Sequence, residues 1–145
     1  MELLYTSGMN EQLRKTVTAI ALSTRKWAER IDRERYSTCW DLSGYCAIAS
    51  AELHKRLKRA KIKNQIGVWE NEHSECHCFC IVDDHVVDVT ATQFRPFWNK
   101  PVVIMHTKEA EAHEMYNAVF LFHSATELRN HQKRVGWASD QIAFR

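Results

Sequence analysis

Residues 76–90 read Cys76-His77-Cys78-Phe79-Cys80-Ile81-Val82-Asp83-Asp84-His85-Val86-Val87-Asp88-Val89-Thr90, two apolar runs on either side of an Asp-Asp pair. Runs of this length, rich in Val, Ile and Phe and split by two turn formers, predict a β-hairpin over Cys76–Val82 and His85–Thr90. With the turn at Asp83-Asp84, Val82 faces His85, Phe79 faces Asp88 and His77 faces Thr90. The two-residue period of a strand then sets His77, Phe79 and Ile81 on one face, together with Val86, Asp88 and Thr90. His77 and Asp88 become diagonal neighbours about 7–8 Å apart at the backbone, within side-chain reach. Cys76, Cys78 and Cys80 fall on the opposite face.

Upstream of the hairpin the period changes from two to that of a helix. Leu13, Val17, Ile20, Thr24, Trp27 and Ile31 recur at helical spacing between Asn10 and Glu34, with Asn10 as N-cap. Arg14, Lys15, Arg25, Lys26, Arg30 and Arg33 occupy the opposite, solvated face. Residues 36–44 break the period and read as a loop. A second helix is expected from Gly44 to Ala60, buried through Ile48, Ala49, Leu53, Leu57 and Ala60 and capped by Ser43 or Asp41. Gln65–Trp69 and Val102–Met105 are further strand candidates. Ser124-x-x-Glu127 has the form of a capping box, which predicts a last helix over Ala125–Val135. Helices first and strands after them indicate a segregated α+β fold, N-terminal helices packed on an antiparallel sheet.

The chain has 145 residues, 45% apolar and 26% charged, with a net charge of +2. Those values suit one globular domain over residues 1–145 with a core of its own. The modest charge gives no general mandate for nucleic acid or membrane. Apolar stretches such as residues 118–122 are far too short to span a bilayer. The first ten residues lack the pattern of a secretory signal. Five cysteines, three of them alternating along one strand face, fit free thiols in a reducing cytoplasm.

Cys46 falls in the first turn of the second helix, after Ser43-Gly44-Tyr45. The positive end of the helix dipole favours thiolate over thiol there, and Gly44 allows a close approach of backbone. Taken alone, Cys46 reads first as a small buried hydrophobe. A nucleophilic thiol needs a base, and the base needs a group that orients it. His77 and Asp88 meet that need, and a carboxylate between Val87 and Val89 is costly unless paired or exposed. The other account makes His77 a satisfied strand-end histidine and Asp88 a surface carboxylate.

The stretches Asp41-Leu42-Ser43-Gly44-Tyr45-Cys46-Ala47-Ile48-Ala49-Ser50, His77-Cys78-Phe79-Cys80-Ile81-Val82 and Val87-Asp88-Val89-Thr90-Ala91-Thr92-Gln93-Phe94 resemble the transglutaminase-like (papain) superfamily of cysteine peptidases, amidases and acyltransferases. That superfamily orders its triad Cys, His, Asp, with Cys opening a helix and His and Asp on adjacent strands. The resemblance covers about a third of the chain and implies Cys46 as nucleophile, His77 as general base and Asp88 as the orienting carboxylate. Phe79 stands where the family often has Trp, and both spacings are compact. It further implies amide or peptide chemistry through a thioester, on a peptide or protein substrate and without a cofactor. Trp40, Gly44, Tyr45 and Gln93 are candidates to line the site. Arylamine N-acetyltransferases share the triad order but are far longer, and no coenzyme A pocket is marked here.

Two other classes compete. Cys39, Cys76, His77, Cys78 and Cys80 include metal-ligand types, yet the paired Cys-x2–4-Cys knuckles of structural zinc are absent, so no metal is expected. Residues 54–63, His54-Lys55-Arg56-Leu57-Lys58-Arg59-Ala60-Lys61-Ile62-Lys63, could contact nucleic acid or an acidic partner. On a helix those cations spread over the solvated side, which makes nucleic acid the weaker reading.

Overall fold

The Asp83-Asp84 pair turns the chain with φ of +44° and +59°. Positive φ at both central residues is the two-residue hairpin geometry that matches strand twist, and Asp tolerates it better than most residues. The structure, a computed structural model, describes residues 9–35, 42, 44–137 and 141–143. The hairpin strands are β2 (Cys76–Val82) and β3 (His85–Asp88), paired as Val82↔His85, Ile81↔Val86 and Cys80↔Val87. That is the register the sequence requires. Pairing stops one step short of Phe79 and Asp88, because the chain leaves β3 at Asp88 and coils into a 3-10 turn at Ala91–Gln93. Thr90 therefore lies beyond the strand that was expected to hold it.

β1 (Gln65–Glu70) pairs with β2 from Gln65↔Ile81 to Glu70↔Cys76, and β4 (Val103–His106) pairs with β3. With β5 (Phe120–Phe122) on the far edge of β1, the order is β4-β3-β2-β1-β5, antiparallel throughout. The fold is α+β, with helices against a five-stranded sheet.

Alternation along the strands builds two cores. Cys78, Cys80 and Val82, with Ile66, Val68 and Val87, face the long helices α1 (Glu11–Arg35) and α2 (Cys46–Arg59) and the last helix α4 (Ala125–Val135). Phe79 and Val86 face the opposite way, into a smaller core closed by Ala91, Phe97, Ala110, Met115 and Tyr116 from the crossing chain and from α3 (Thr107–Ala110). Gly67 faces Phe79 across the β1–β2 ladder, and a Cβ there would stand 2.7 Å from the Phe79 ring. Hydrogen is the one side chain that lets Phe79 lie over β1.

The helix ends follow their signals. Asn10 Oδ1 accepts the Leu13 N–H at 2.8 Å, and Ser124 Oγ accepts the Glu127 N–H at 3.1 Å. Glu127 reaches one residue further back than a capping box requires, taking the His123 N–H at 2.7 Å. Four helix expectations need correction. Helix α2 opens at Cys46 rather than Gly44, with Tyr45 as its N-cap and no side-chain cap bond. Asp41 and Ser43, the expected caps, lie outside the described residues, as do Cys39 and Trp40. Ala60 is exposed at the C-cap instead of completing the buried stripe. Arg25, placed on the solvated face of α1, is 3% exposed. Its guanidinium donates to the Val89 carbonyl (3.0 Å), Thr92 Oγ1 (2.8 Å) and Glu29 Oε2 (2.8 Å), clamping the turn after β3 onto the helix.

Among the described residues no helix is long and apolar enough to cross a membrane. A Gly67→Ala substitution should lower stability by about 1–3 kcal/mol, since the Phe79 ring must give way in a packed core. Urea unfolding measures it; a change under about 0.5 kcal/mol would mean that the ring has room to move.

Candidate active site

The β2–β3 hairpin carries two of the three side chains of interest, and the entry of α2 carries the third. His77 Nε2 lies 2.7 Å from Asp88 Oδ2, both side chains fully buried. Asp88 Oδ2 also accepts the Tyr116 hydroxyl at 2.7 Å, and Oδ1 takes the Thr90 N–H at 2.9 Å and the Thr90 hydroxyl at 3.3 Å. The carboxylate thus has four donors on two oxygens. Burial works to raise its pKa, but the charge and hydrogen bond of His77, with Tyr116 and the Thr90 N–H, outweigh burial and hold it below the usual range. Burial and the Asp88 charge push the Tyr116 hydroxyl far up, so it stays a donor.

Aromatic faces confine the imidazole. Phe94 meets it edge-on with centroids 4.7 Å apart, and Phe79 and Tyr116 stand 6.0 and 5.9 Å away. With Nε2 committed to Asp88, the Nδ1 edge is the one left toward Cys46, whose charge helps to raise the His77 pKa. Gln93 Nε2 lies 3.4 Å from Nδ1 and donates to the Thr90 carbonyl at 3.0 Å.

Cys46 is the first residue of α2 and 5% exposed. The first helical hydrogen bond, Ala49 N–H to the Tyr45 carbonyl at 2.9 Å, leaves the N–H groups of residues 46–48 at the positive end of the dipole. Gly44 makes the entry turn at φ +84°, where a Cβ would sit 3.1 Å from Gln141 Nε2. The left-handed conformation selects glycine, and the Gln141 amide would have to give by a few tenths of an ångström to admit a Cβ.

Strand parity puts Cys78 on the helix-side face, and the structure places it in the same core as Cys46. Because β3 departs at Asp88, its pairing leaves Cys76–Phe79 of β2 without a β3 partner. Polar interactions with Cys78 and with His77 both favour the Cys46 thiolate.

The charges follow from that placement. The Cys78 hydrogen bond is the largest influence on the Cys46 thiol; burial opposes it, and His77 reinforces it, so the pKa falls to about 5. Burial presses His77 down, but the Asp88 charge and hydrogen bond and the Cys46 interaction outweigh it and carry it up to about 10. The other described thiols move the opposite way. Burial, with the Cys46 and Glu70 charges, pushes Cys76 up to about 12, and burial raises Cys78 and Cys80 as well. Cys46 is the described thiol that prefers to be a thiolate at neutral pH.

Two cavities flank this centre and share Glu75 and Cys76. One, of about 350 Å³, lies between the β1–β2 turn and the C-terminal residues and includes Cys76, Trp137 and Gln141. The other, of about 450 Å³, includes Trp69, Gln93, Phe94 and Met115. Neither wall includes Cys46 or His77, but Cys76, on both walls, directly precedes His77, Gln93 lies beside His77 Nδ1 and Gln141 lies beside Gly44. Of the expected lining residues, Gln93 stands at a cavity wall and Gly44 at the helix entry. Tyr45 instead packs into the helix-side core. Trp40 lies outside the described residues.

Tyr116, Arg25 and Cys78 complete the surroundings and were not expected there. Tyr116 comes from a 3-10 turn 28 residues beyond Asp88, with no motif to mark it. Among the described residues no group of three or more His, Cys, Asp and Glu side chains is arranged to hold a metal ion. In the basic run, His54 and Leu57 are buried and Arg56 is tied to Glu52 at 2.8 Å, leaving Lys58, Arg59, Lys61 and Lys63 exposed. No family model, no curated protein and no solved structure matches the chain.

Proposed function

We propose that this chain is a cysteine-dependent hydrolase or acyltransferase of transglutaminase-like type, acting on an amide bond of a peptide or of a glutamine side chain. The observation that carries the reading is the buried His77–Asp88 pair, 2.7 Å apart, with the first residue of α2, Cys46, as the thiol whose ionisation His77 favours. Among the described cysteines the same environment lowers only Cys46 and raises Cys76, Cys78 and Cys80, a contrast suited to a nucleophile among structural thiols.

In this mechanism the Cys46 thiolate attacks the carbonyl carbon and the oxygen gathers charge at the helix entry, where the Cys46 N–H points. His77 gives its Nδ1 proton to the departing amine, leaving a thioester on Cys46. His77 then takes a proton from water, for hydrolysis, or from an incoming amine, for transfer. Asp88 keeps Nε2 protonated and favours imidazolium, and Tyr116 and Thr90 fix the carboxylate. The long arm of the mechanism is positional: the imidazole cannot turn without leaving a buried charge unpaired.

Two measurements test this reading. Between about pH 5 and pH 10 the pair should exist as thiolate and imidazolium, so alkylation of Cys46 by iodoacetamide should rise through about pH 5 and then level off. At about pH 6, peptide mass spectrometry should find Cys46 labelled well before Cys76, Cys78 or Cys80; equal labelling of all four would count against an activated nucleophile. With a p-nitrophenyl acyl ester as generic acyl donor, the wild type should gain one acyl mass on Cys46, and Cys46→Ala should gain none. Asp88→Asn should slow acylation by at least about 100-fold, because an amide at that position can select the wrong tautomer. Acylation of Cys46→Ala at the wild-type rate would place the nucleophile elsewhere.

A further inference from the structure

One of the two cavities is built around His77. Its wall, enclosing about 450 Å³, includes Trp69, which pairs with His77 across the β1–β2 ladder, and Phe94, whose ring stands edge-on to the imidazole at 4.7 Å. Gln93, on the same wall, brings its Nε2 to 3.4 Å from His77 Nδ1. We propose that this cavity is a subsite for a lysine or arginine side chain of a peptide substrate, carried on the leaving-amine side of the scissile bond. The side of the bond, though not the preference for a cation, rests on the reading of His77 as the group that protonates the departing amine.

The wall chemistry selects the side chain. Trp69 and Phe94 are partly buried against the smaller core and Met115 is buried in it, so the cavity has a fixed apolar surface. Two exposed carboxylates, Glu75 and Glu114, complete the wall. Asn71 Nδ2 donates to Glu75 Oε1 at 2.7 Å, and Asn71 Oδ1 takes the Glu75 N–H at 3.0 Å, which together hold that carboxylate in place. None of the described wall residues is Lys, Arg or His. A long cationic side chain matches both parts, its aliphatic stem along the rings and its charged end at the carboxylates. An acidic side chain would meet two like charges there, and an aliphatic one would leave the carboxylates without a partner.

Position assigns the side of the bond. A departing amine must stand at the imidazole nitrogen that protonates it, and with Nε2 held by Asp88 that nitrogen is Nδ1. Gln93 and Phe94 join that edge to the cavity, so the chain beyond the amine enters here. The cavity of about 350 Å³ is a poorer fit for a cation. Asn71, Ser74 and Gln141 make its wall polar, and its Glu70 is already bonded to His131 at 2.7 Å.

Binding rather than turnover tests the assignment. Full-length wild type and Cys46→Ala are each titrated with a pentapeptide bearing a central lysine, and with its norleucine and glutamate counterparts. Nitrogen-15 NMR follows the indole signals, and Trp69→Phe identifies that of Trp69. The lysine peptide should shift the Trp69 signal and bind at least about fivefold more tightly than the norleucine peptide, as an exposed ion pair and a cation–π contact together allow. The glutamate peptide should bind most weakly. Glu114→Lys, at an exposed position, should abolish the preference for lysine over norleucine. Equal binding of the lysine and norleucine peptides, or a lysine peptide that moves the Trp137 signal and leaves Trp69 unmoved, would overturn the assignment. If the lysine peptide binds as expected while wild-type Cys46 takes up no acyl group, the acyl-transfer reading fails and the cation subsite stands.

Discussion

A carboxylate with no access to water is the constraint on which the rest of the structure depends. An unpaired anion at Asp88 would cost on the order of several kcal/mol, more than one side chain's burial returns. The chain meets that cost with four donors drawn from three separate segments. Thr90 comes from the turn that ends β3, His77 from the start of β2, and Tyr116 from the crossing chain. Arg25 of α1 holds the same turn from behind through Val89 and Thr92. A shift in any one of these segments breaks a hydrogen bond that nothing else can replace. The position of the imidazole is therefore a by-product of satisfying the carboxylate.

That dependence also explains the two-sided character of the centre. His77 belongs to the smaller, aromatic core, whereas Cys46 belongs to the larger core under the helices. They meet because β3 must leave the sheet at Asp88 to bring Thr90 round to the carboxylate. An antiparallel sheet that continued its ladder for two more residues would seal β2 and keep the thiol from the imidazole. The cavities on either side share the rim at Glu75 and Cys76.

The hairpin, its register and three helix limits were legible because local chemistry decides them. Asp83-Asp84 admits one tight turn, Asn10 and Ser124 cap the helices they precede, and alternation assigns each strand face. The pairing of His77 with Asp88 follows from that register. Other features depend on contacts distant in sequence. Tyr116 has no periodic pattern around it, and β5 is three residues with little burial and so gives no alternation to read. A cation among cations on a helix is usually solvated; the burial of Arg25 rests on the Val89 carbonyl, 64 residues away. Parity puts Cys78 on the helix-side face, and it is buried there in the same core as Cys46.

The central claim is that Asp88 and Cys46 together keep His77 doubly protonated at neutral pH, and nitrogen-15 NMR of the His77 ring measures that state directly. The account predicts imidazolium shifts for both ring nitrogens at pH 7, persisting until the pH nears about 10. In Cys46→Ala, which removes the thiolate, the same ring should lose its proton at a lower pH. A single neutral tautomer at pH 7, titrating in the ordinary histidine range in both proteins, would contradict it.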